Sequence, residues 1–383
     1  MKVLVITHNT SNTGAPKTCL TLLQSFKLKV NTLSIDTVSL DSGYGLDEKF
    51  TLFSENFFPI DKYSREADYS LKNKFFAKLK KNTILSEYEM NKLIIENQPY
   101  DFVFANTIAS LSFALEIKKK QPFTKLFLFL HEMCTVIDQL CPSFRSFISE
   151  VDLIGYISSY NRKLVEEKYI FKSKNFIELL PHIKINIEPT ECKFSDTVKK
   201  VKKVVMMGSV HWRKGDDVFI QVARKILLER KDIEFYWIGS ISNYQRLIVE
   251  TDLNRLGIQN HVFFVGEKEN PFELLSEMDL FLLTSREEPF GLAPAEAILL
   301  GIPLVYFTGV TGIGALLEEH GFDHGVPYLD IDKMSEKVLD ILENKKEYIE
   351  DIKQMRSILL NYDDDYYKNK IDELFLKLNL NEK

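Results

Sequence analysis

Short apolar runs alternate with longer helix-like stretches along the chain. Val3–Thr7 is a compact apolar run led by Lys2, and the polar loop Asn9–Gly14 follows it. Pro16–Phe26 then reads as a helix with proline in its first turn. Asp101–Ala105, Lys125–Leu130 and Leu153–Ile157 repeat the strand signal, each followed by a polar or helical stretch. Near-continuous apolar strands between helices predict a parallel sheet covered on both faces. Polarity rises over Pro181–Lys203, where Pro181, Pro189 and the lysines of Lys199–Lys203 mark an interdomain linker. A second series then begins: Val204–Met207 ends at Gly208, Glu234–Ile238 at Gly239, and Val262–Val265 at Gly266. Leu280–Leu283 ends at Thr284 and Pro303–Phe307 at Thr308. Strands that close on glycine or small polar residues suit a ligand crevice at the carboxyl ends of an open sheet. The pattern predicts an α/β chain of two doubly wound, Rossmann-like domains facing each other across a cleft. The expected domains are 1–185 and 200–360, with a helical tail over 361–383.

Composition narrows the function without naming it. With 383 residues, two domains are expected. Lysine and arginine total 49 against 55 acidic residues, a net charge of −6 that disfavours nucleic acid as a partner. Cys19, Cys134, Cys141 and Cys192 form no Cys-x-x-Cys pair, which removes zinc-ribbon and thioredoxin readings. The apolar run after Lys2 is too short for a signal-peptide core, and no run approaches the ~18 residues a membrane span needs. A reduced, cytoplasmic protein is expected, and any membrane contact would be peripheral. His8, His182, His211, His261, His320 and His324 show no ligand spacing and are assigned to structure or surface. Asp363–Asp365 reads as a turn or helix start rather than a metal cluster.

The most informative segment is Thr284-Ser285-Arg286-Glu287-Glu288-Pro289-Phe290-Gly291-Leu292-Ala293-Pro294-Ala295-Glu296-Ala297. It follows a strand and turns into a helix running to about Leu300, closed by Gly301 with Pro303 beyond. Glu288 falls in the loop and Glu296 about one turn inside the helix, so the two carboxylates can grip different parts of one ligand. Free amides at the helix start favour anionic oxygens. Upstream, Val204–Met207 leads into Gly208-Ser209-Val210-His211-Trp212-Arg213-Lys214-Gly215.

Glu288 and Glu296 with Phe290-Gly291 between them, and Glu296-Ala297 running into Gly301-Ile302-Pro303, resemble the signature of family-four glycosyltransferases. These are retaining enzymes of the GT-B fold in glycosyl transferases group 1. The resemblance covers most of the chain and is most specific in its later half. It implies transfer of a sugar from a nucleotide diphosphate donor to an acceptor hydroxyl, with UDP-sugar favoured and GDP-sugar the alternative. It places Lys214 on the donor phosphates with Arg213 beside it. Ser209 stands where many members carry arginine, so either Arg213 supplies that charge or phosphate neutralisation is weaker. The resemblance gives Glu288 the hydroxyls of the transferred sugar and Glu296 the ribose hydroxyls, which suit an acceptor-only carboxylate. The amides of Phe290, Gly291, Leu292 and Ala293 would face the diphosphate, and Gly266, Glu267 and Lys268 would meet the base. Gly14 and Ala15, opening the first helix, match the family's loop near the diphosphate and acceptor. His131 matches a histidine near the sugar; Glu132 beside it reads equally well as a polar strand end. No metal or resident cofactor is implied, and the acceptor would be a glycan, a lipid-linked sugar or a protein.

Other readings stay open at this level. A GT-B partner protein that stabilises an active transferase or holds its acceptor would share the fold, and Ser209 motivates it. Epimerase and phosphorylase activities occur on the same fold, though no cofactor-lysine motif supports the latter. Lys72, Lys74, Lys78, Lys80 and Lys81 among Leu71, Phe75, Phe76 and Leu79 form a basic amphipathic stretch. It suits a solvated helix face or, less often, an anionic surface. Trp212 beside Arg213 reads as a packing residue or, less often, as a ring stacking at the cleft mouth.

Overall fold

The computed structural model describes residues 1–30, 32–43, 45–60, 87–183 and 201–380. The basic amphipathic stretch at Leu71–Lys81, together with Cys192, Pro189 and most of the expected linker, lies outside the described residues. The chain divides into two compact units, one of Met1–His182 with Asp364–Lys383 and one of Ile183–Asp363.

Unit 1 is built on parallel strands β1 (Lys2–Thr7), β2 (Ser34–Ser39), β3 (Asn56–Pro59), β4 (Phe102–Asn106), β5 (Lys125–Leu130), β6 (Leu153–Tyr156) and β7 (Phe176–Glu178). Their order across the sheet is β3-β2-β1-β4-β5-β6-β7. Every residue of β4 is buried, and in β5 only the leading Lys125 is not. A sheet covered on both faces explains why these runs read as unbroken apolar stretches. β2, β3 and β7 are absent from the apolar pattern. β2 is the instructive case. Its sequence Ser-Ile-Asp-Thr-Val-Ser buries Asp36 completely. Asp36 accepts hydrogen bonds from Tyr100 at 3.0 Å and Asn56 at 2.8 Å, and Lys2 sits 3.0 Å away. Buried charge is tolerated where partners satisfy it, and those partners lie on other elements.

The terminal helix Asp364–Lys377 belongs to unit 1 and is not a separate tail. It buries Tyr367, Ile371, Leu374 and Phe375, a single stripe at helical spacing. Phe375 stacks on Phe26 with ring centroids 5.8 Å apart, and Tyr367 donates to the carbonyl of Leu180 at 2.6 Å. Asp364 and Asp365 open this helix, as a helix-start reading requires.

Unit 2 repeats the plan with β8 (Lys202–Met207), β9 (Ile233–Ile238), β10 (Val262–Gly266), β11 (Leu280–Leu283), β12 (Leu304–Phe307) and β13 (Gly325–Val326). Their order is β10-β9-β8-β11-β12-β13, again parallel throughout. Trp237 on β9 is fully buried, stacked on Phe264 and donating its indole N–H to the carbonyl of Gly208 at 2.7 Å. That bond pins the point where β8 gives way to its loop. Among the described residues, no helix is long and apolar enough to cross a membrane.

Candidate functional site

In a doubly wound sheet the strand order reverses at one place, and the loops leaving the two strands there diverge around a crevice. In unit 2 those strands are β8 and β11. The loop after β8 carries Ser209 to Gly215 and the loop after β11 carries Thr284 to Gly291, so topology alone brings the two motifs together.

Gly215 is what lets the loops touch. Its φ is +73°, and a Cβ there would lie 2.2 Å from the carbonyl oxygen of Thr284. Only glycine accepts both the conformation and the approach. Thr284 then donates its hydroxyl to the carbonyl of Lys214 at 3.0 Å, and the Arg286 N–H bonds the Arg213 carbonyl at 2.8 Å. The Arg286 guanidinium completes the clamp. It binds both carboxylate oxygens of Asp217 at 2.9 and 2.8 Å, donates to the Trp212 carbonyl and lies 5.1 Å from the Trp212 ring. Trp212 itself is 60% exposed, so of its two readings stacking holds rather than packing: its ring serves as a platform for Arg286.

These constraints deliver Lys214 into an ion pair with Glu288, while Arg213 stands 3.9 Å from the same carboxylate and donates to the Glu287 carbonyl at 2.8 Å. Glu288 is buried and its backbone is fixed on both sides. Its N–H bonds the Val310 carbonyl at 2.9 Å, and its carbonyl accepts from Gly312 at 3.0 Å. Burial opposes ionisation of Glu288, but Lys214 and Arg213 outweigh it and hold the carboxyl below its ordinary range. Burial, with Arg213 adding to it, lowers Lys214 against the pull of Glu288. His211 was assigned to structure or surface, yet it shares this loop and this electrostatic environment. Burial, then Arg213 and Lys214, push its pKa down to about 4, so its ring is neutral near pH 7.

Phe290 is buried, and Gly291, at φ +109°, starts the helix Leu292–Leu299. Its N-cap, Gly291, has no side chain to cap it, and its first turn contains no acidic residue. The amides at Leu292 and Ala293 therefore form a positive end. Glu296 lies half-buried on the second turn. Ser209 is exposed and its hydroxyl is bonded to Ser240 at 2.9 Å. Gly266 ends β10, two strands from β8, with its carbonyl accepting from Gly239 at 3.0 Å and Glu267 exposed beyond it.

Unit 1 has its own reversal between β1 and β4. His8 follows β1, Asn106 ends β4 with Thr107 just beyond it, and His131 and Glu132 follow β5. Gly14 and Ala15 open the first helix, Gly14–Lys29. Thr107 holds φ +123°, a conformation rare outside glycine, and bonds His8 at 3.3 Å. His131 Nε2 contacts Asn106 Oδ1 at 2.9 Å, and Asn106 Nδ2 donates to the Ala15 carbonyl at 3.2 Å. Burial, then His8, push His131 down to about 3. Glu132 accepts N–H bonds from Ile108 at 3.2 Å and His131 at 3.1 Å, yet burial still lifts it to about 7. Asn106 and Thr107 carry no signal in the sequence, because short polar residues at strand ends are common. Among the described residues, no group of three or more histidines, cysteines or acidic residues is arranged to hold a metal.

Residues 188–357 match the family model described as glycosyl transferases group 1. An uncharacterized glycosyltransferase of Methanocaldococcus jannaschii is 23% identical over 178 residues, which is 44% of this chain and 43% of that protein. The lipopolysaccharide core biosynthesis mannosyltransferase LpsB of Rhizobium meliloti is 32% identical over 136 residues, 34% of this chain and 37% of LpsB. The matched segments thus span less than half the length of these relatives. Anabaena HepE in complex with UDP and glucose superposes with a TM-score of 0.73 at 16% identity, covering 98% of this chain and 99% of HepE. Residues 188–357 thus resemble glycosyl transferases group 1, and the chain that carries them has the two-sheet architecture of GT-B glycosyltransferases.

Proposed function

We propose that the chain is a retaining glycosyltransferase moving a sugar from a nucleotide diphosphate sugar to an acceptor hydroxyl in glycan, glycolipid or glycoprotein synthesis. The observation that carries this reading is the cluster of Lys214 and Arg213 around one carboxylate, Glu288, at the strand reversal of unit 2. Two cations against one anion leave net positive charge where a diphosphate would lie, and the helix start adds to it. Leaving-group charge is thereby stabilised in place, without metal. As the bond from the anomeric carbon to the diphosphate breaks, the acceptor oxygen bonds to that carbon on the same face, and the departing phosphate takes the acceptor's proton. Glu288 would hold hydroxyls of the transferred sugar, Glu296 would accept from the ribose diol, and Gly266 and Glu267 would border the base. His131, with Gly14 and Ala15, would serve the sugar and acceptor from unit 1. The HepE complex with UDP and glucose supports a UDP-sugar as first choice.

The test is nucleotide release from a panel of UDP- and GDP-sugars, without and then with cell-envelope acceptors. Release of one nucleotide is expected, with Glu296→Ala weakening donor binding and Lys214→Ala lowering the rate by about a hundredfold or more. Calorimetry showing that no nucleotide sugar binds would overturn the proposal in favour of a non-catalytic partner.

A further inference from the structure

Asn106 is the last residue of β4, paired with Thr7 of β1 and Phe129 of β5, and it is completely buried. A buried carboxamide must find partners for both ends. Here the partners decide which end faces which. The Ala15 carbonyl can only accept, so Nδ2 must face it, at 3.2 Å. Oδ1 is therefore left for His131 Nε2, at 2.9 Å. Oδ1 can only accept in turn, so Nε2 carries the proton. A neutral imidazole has one N–H, so the ring's lone pair is on Nδ1. The ring is also packed against Phe129, with centroids 4.1 Å apart.

We propose that Asn106 is a positioning residue: it ties the start of the first helix, at Ala15, to the His131 ring and fixes the proton on Nε2, presenting Nδ1 as an acceptor for a sugar or acceptor hydroxyl. This rests on the reading that His131 serves the reacting sugar. The alternative tautomer would set two acceptors against each other at Oδ1 and turn a donor toward the hydroxyl. Among the described residues, the titratable groups beside His131 are His8, whose own pKa burial lowers against the pull of Asp41, and Glu132, which receives the His131 backbone N–H. Burial and His8 keep the imidazole uncharged across the physiological range.

The first test needs no donor. In the 15N-histidine-labelled protein, with His131→Gln used for assignment, the His131 ring is expected as the Nε2–H tautomer with shifts constant from pH 5.5 to 8. An Nδ1–H tautomer, or titration near the ordinary histidine value, would overturn the proposal. The second test is Asn106→Asp. A carboxylate beside Nε2 favours the imidazolium, so His131 is expected to begin titrating in that range. kcat should fall at least tenfold, with a new inflection in its pH profile at the spectroscopic midpoint and less than a threefold change in donor KM. If Asn106→Asp does not fold, Asn106→Ser, too short to span both partners, should show the same kcat loss. Wild-type kcat and pH profile in a folded variant would overturn the positioning role. If the wild-type protein transfers no sugar, the spectrum still decides the tautomer, and the transfer reading alone falls.

Discussion

Lys214 and Glu288 form an ion pair across 74 residues of sequence, and the bond from the Thr284 hydroxyl to the Lys214 carbonyl sets the distance between their loops. Both side chains are largely withdrawn from water. Removing one member strands the other, which costs roughly 3–5 kcal/mol in buried pairs. Lys214→Met and Glu288→Leu are each expected to lower the melting temperature, and the double variant should regain most of the loss while remaining inactive. Thermal unfolding of the four proteins closes the cycle. Because the folded Glu288 pKa lies below its unfolded value of 4.5, its contribution is present above that value and drains away as pH falls through the folded pKa. The melting-temperature gap between wild type and Glu288→Leu should therefore narrow only in acid.

Gly215→Ala tests the contact between the loops. The new Cβ would meet the Thr284 carbonyl at 2.2 Å while φ stays at +73°. Backbone cannot yield as a flexible side chain can, so the Lys214 loop must shift. Donor affinity is expected to fall at least tenfold and stability by about 1–3 kcal/mol. Calorimetry with the donor and chemical denaturation read the two effects separately.

Glu132 makes a prediction of opposite sign. Its carboxyl is lifted to about 7, so the folded state resists its ionisation. Below the unfolded value of 4.5 the group is protonated in both states and costs nothing; the cost grows as pH rises and levels off above about 7. Glu132→Gln keeps an oxygen for the Ile108 and His131 N–H groups. It is expected to match wild type in melting temperature near pH 4.5 and to exceed it at pH 8.

Phe375→Ala should loosen unit 1 selectively. The ring is stacked on Phe26 and set edge-on to Phe102, and its deletion is expected to cost about 3–5 kcal/mol. Hydrogen exchange should show amides of β1 and β4 losing protection while those of β8 and β9 keep theirs.

Much of this arrangement is legible in the sequence wherever the signal is local. β1, β4, β5, β8 and β11 show as apolar runs because both of their faces are covered. The glycines that close β8 and open the helix at Leu292 mark where backbone must bend or approach closely. What is not legible depends on partners far away in the chain. β2 reads as polar because Asp36 is satisfied by Lys2, Asn56 and Tyr100. His211 has no spacing to betray it, and only its short 3-10 turn, Trp212–Lys214, brings it beside the cations. Asn106 is an unremarkable strand end until Ala15 and His131 are seen at its two ends.

Unit 1 is discontinuous: it begins with the first residue and is completed by the helix Asp364–Lys377, after all of unit 2 has intervened. During synthesis the ribosome therefore releases Ile183–Asp363 as a continuous block that can fold on schedule. The sheet that leads into His131 waits with Phe26 and Phe102 unsheltered until Phe375 has cleared the exit tunnel. Nascent chains halted before that helix should bind chaperones through the earlier unit, although its strands were translated first.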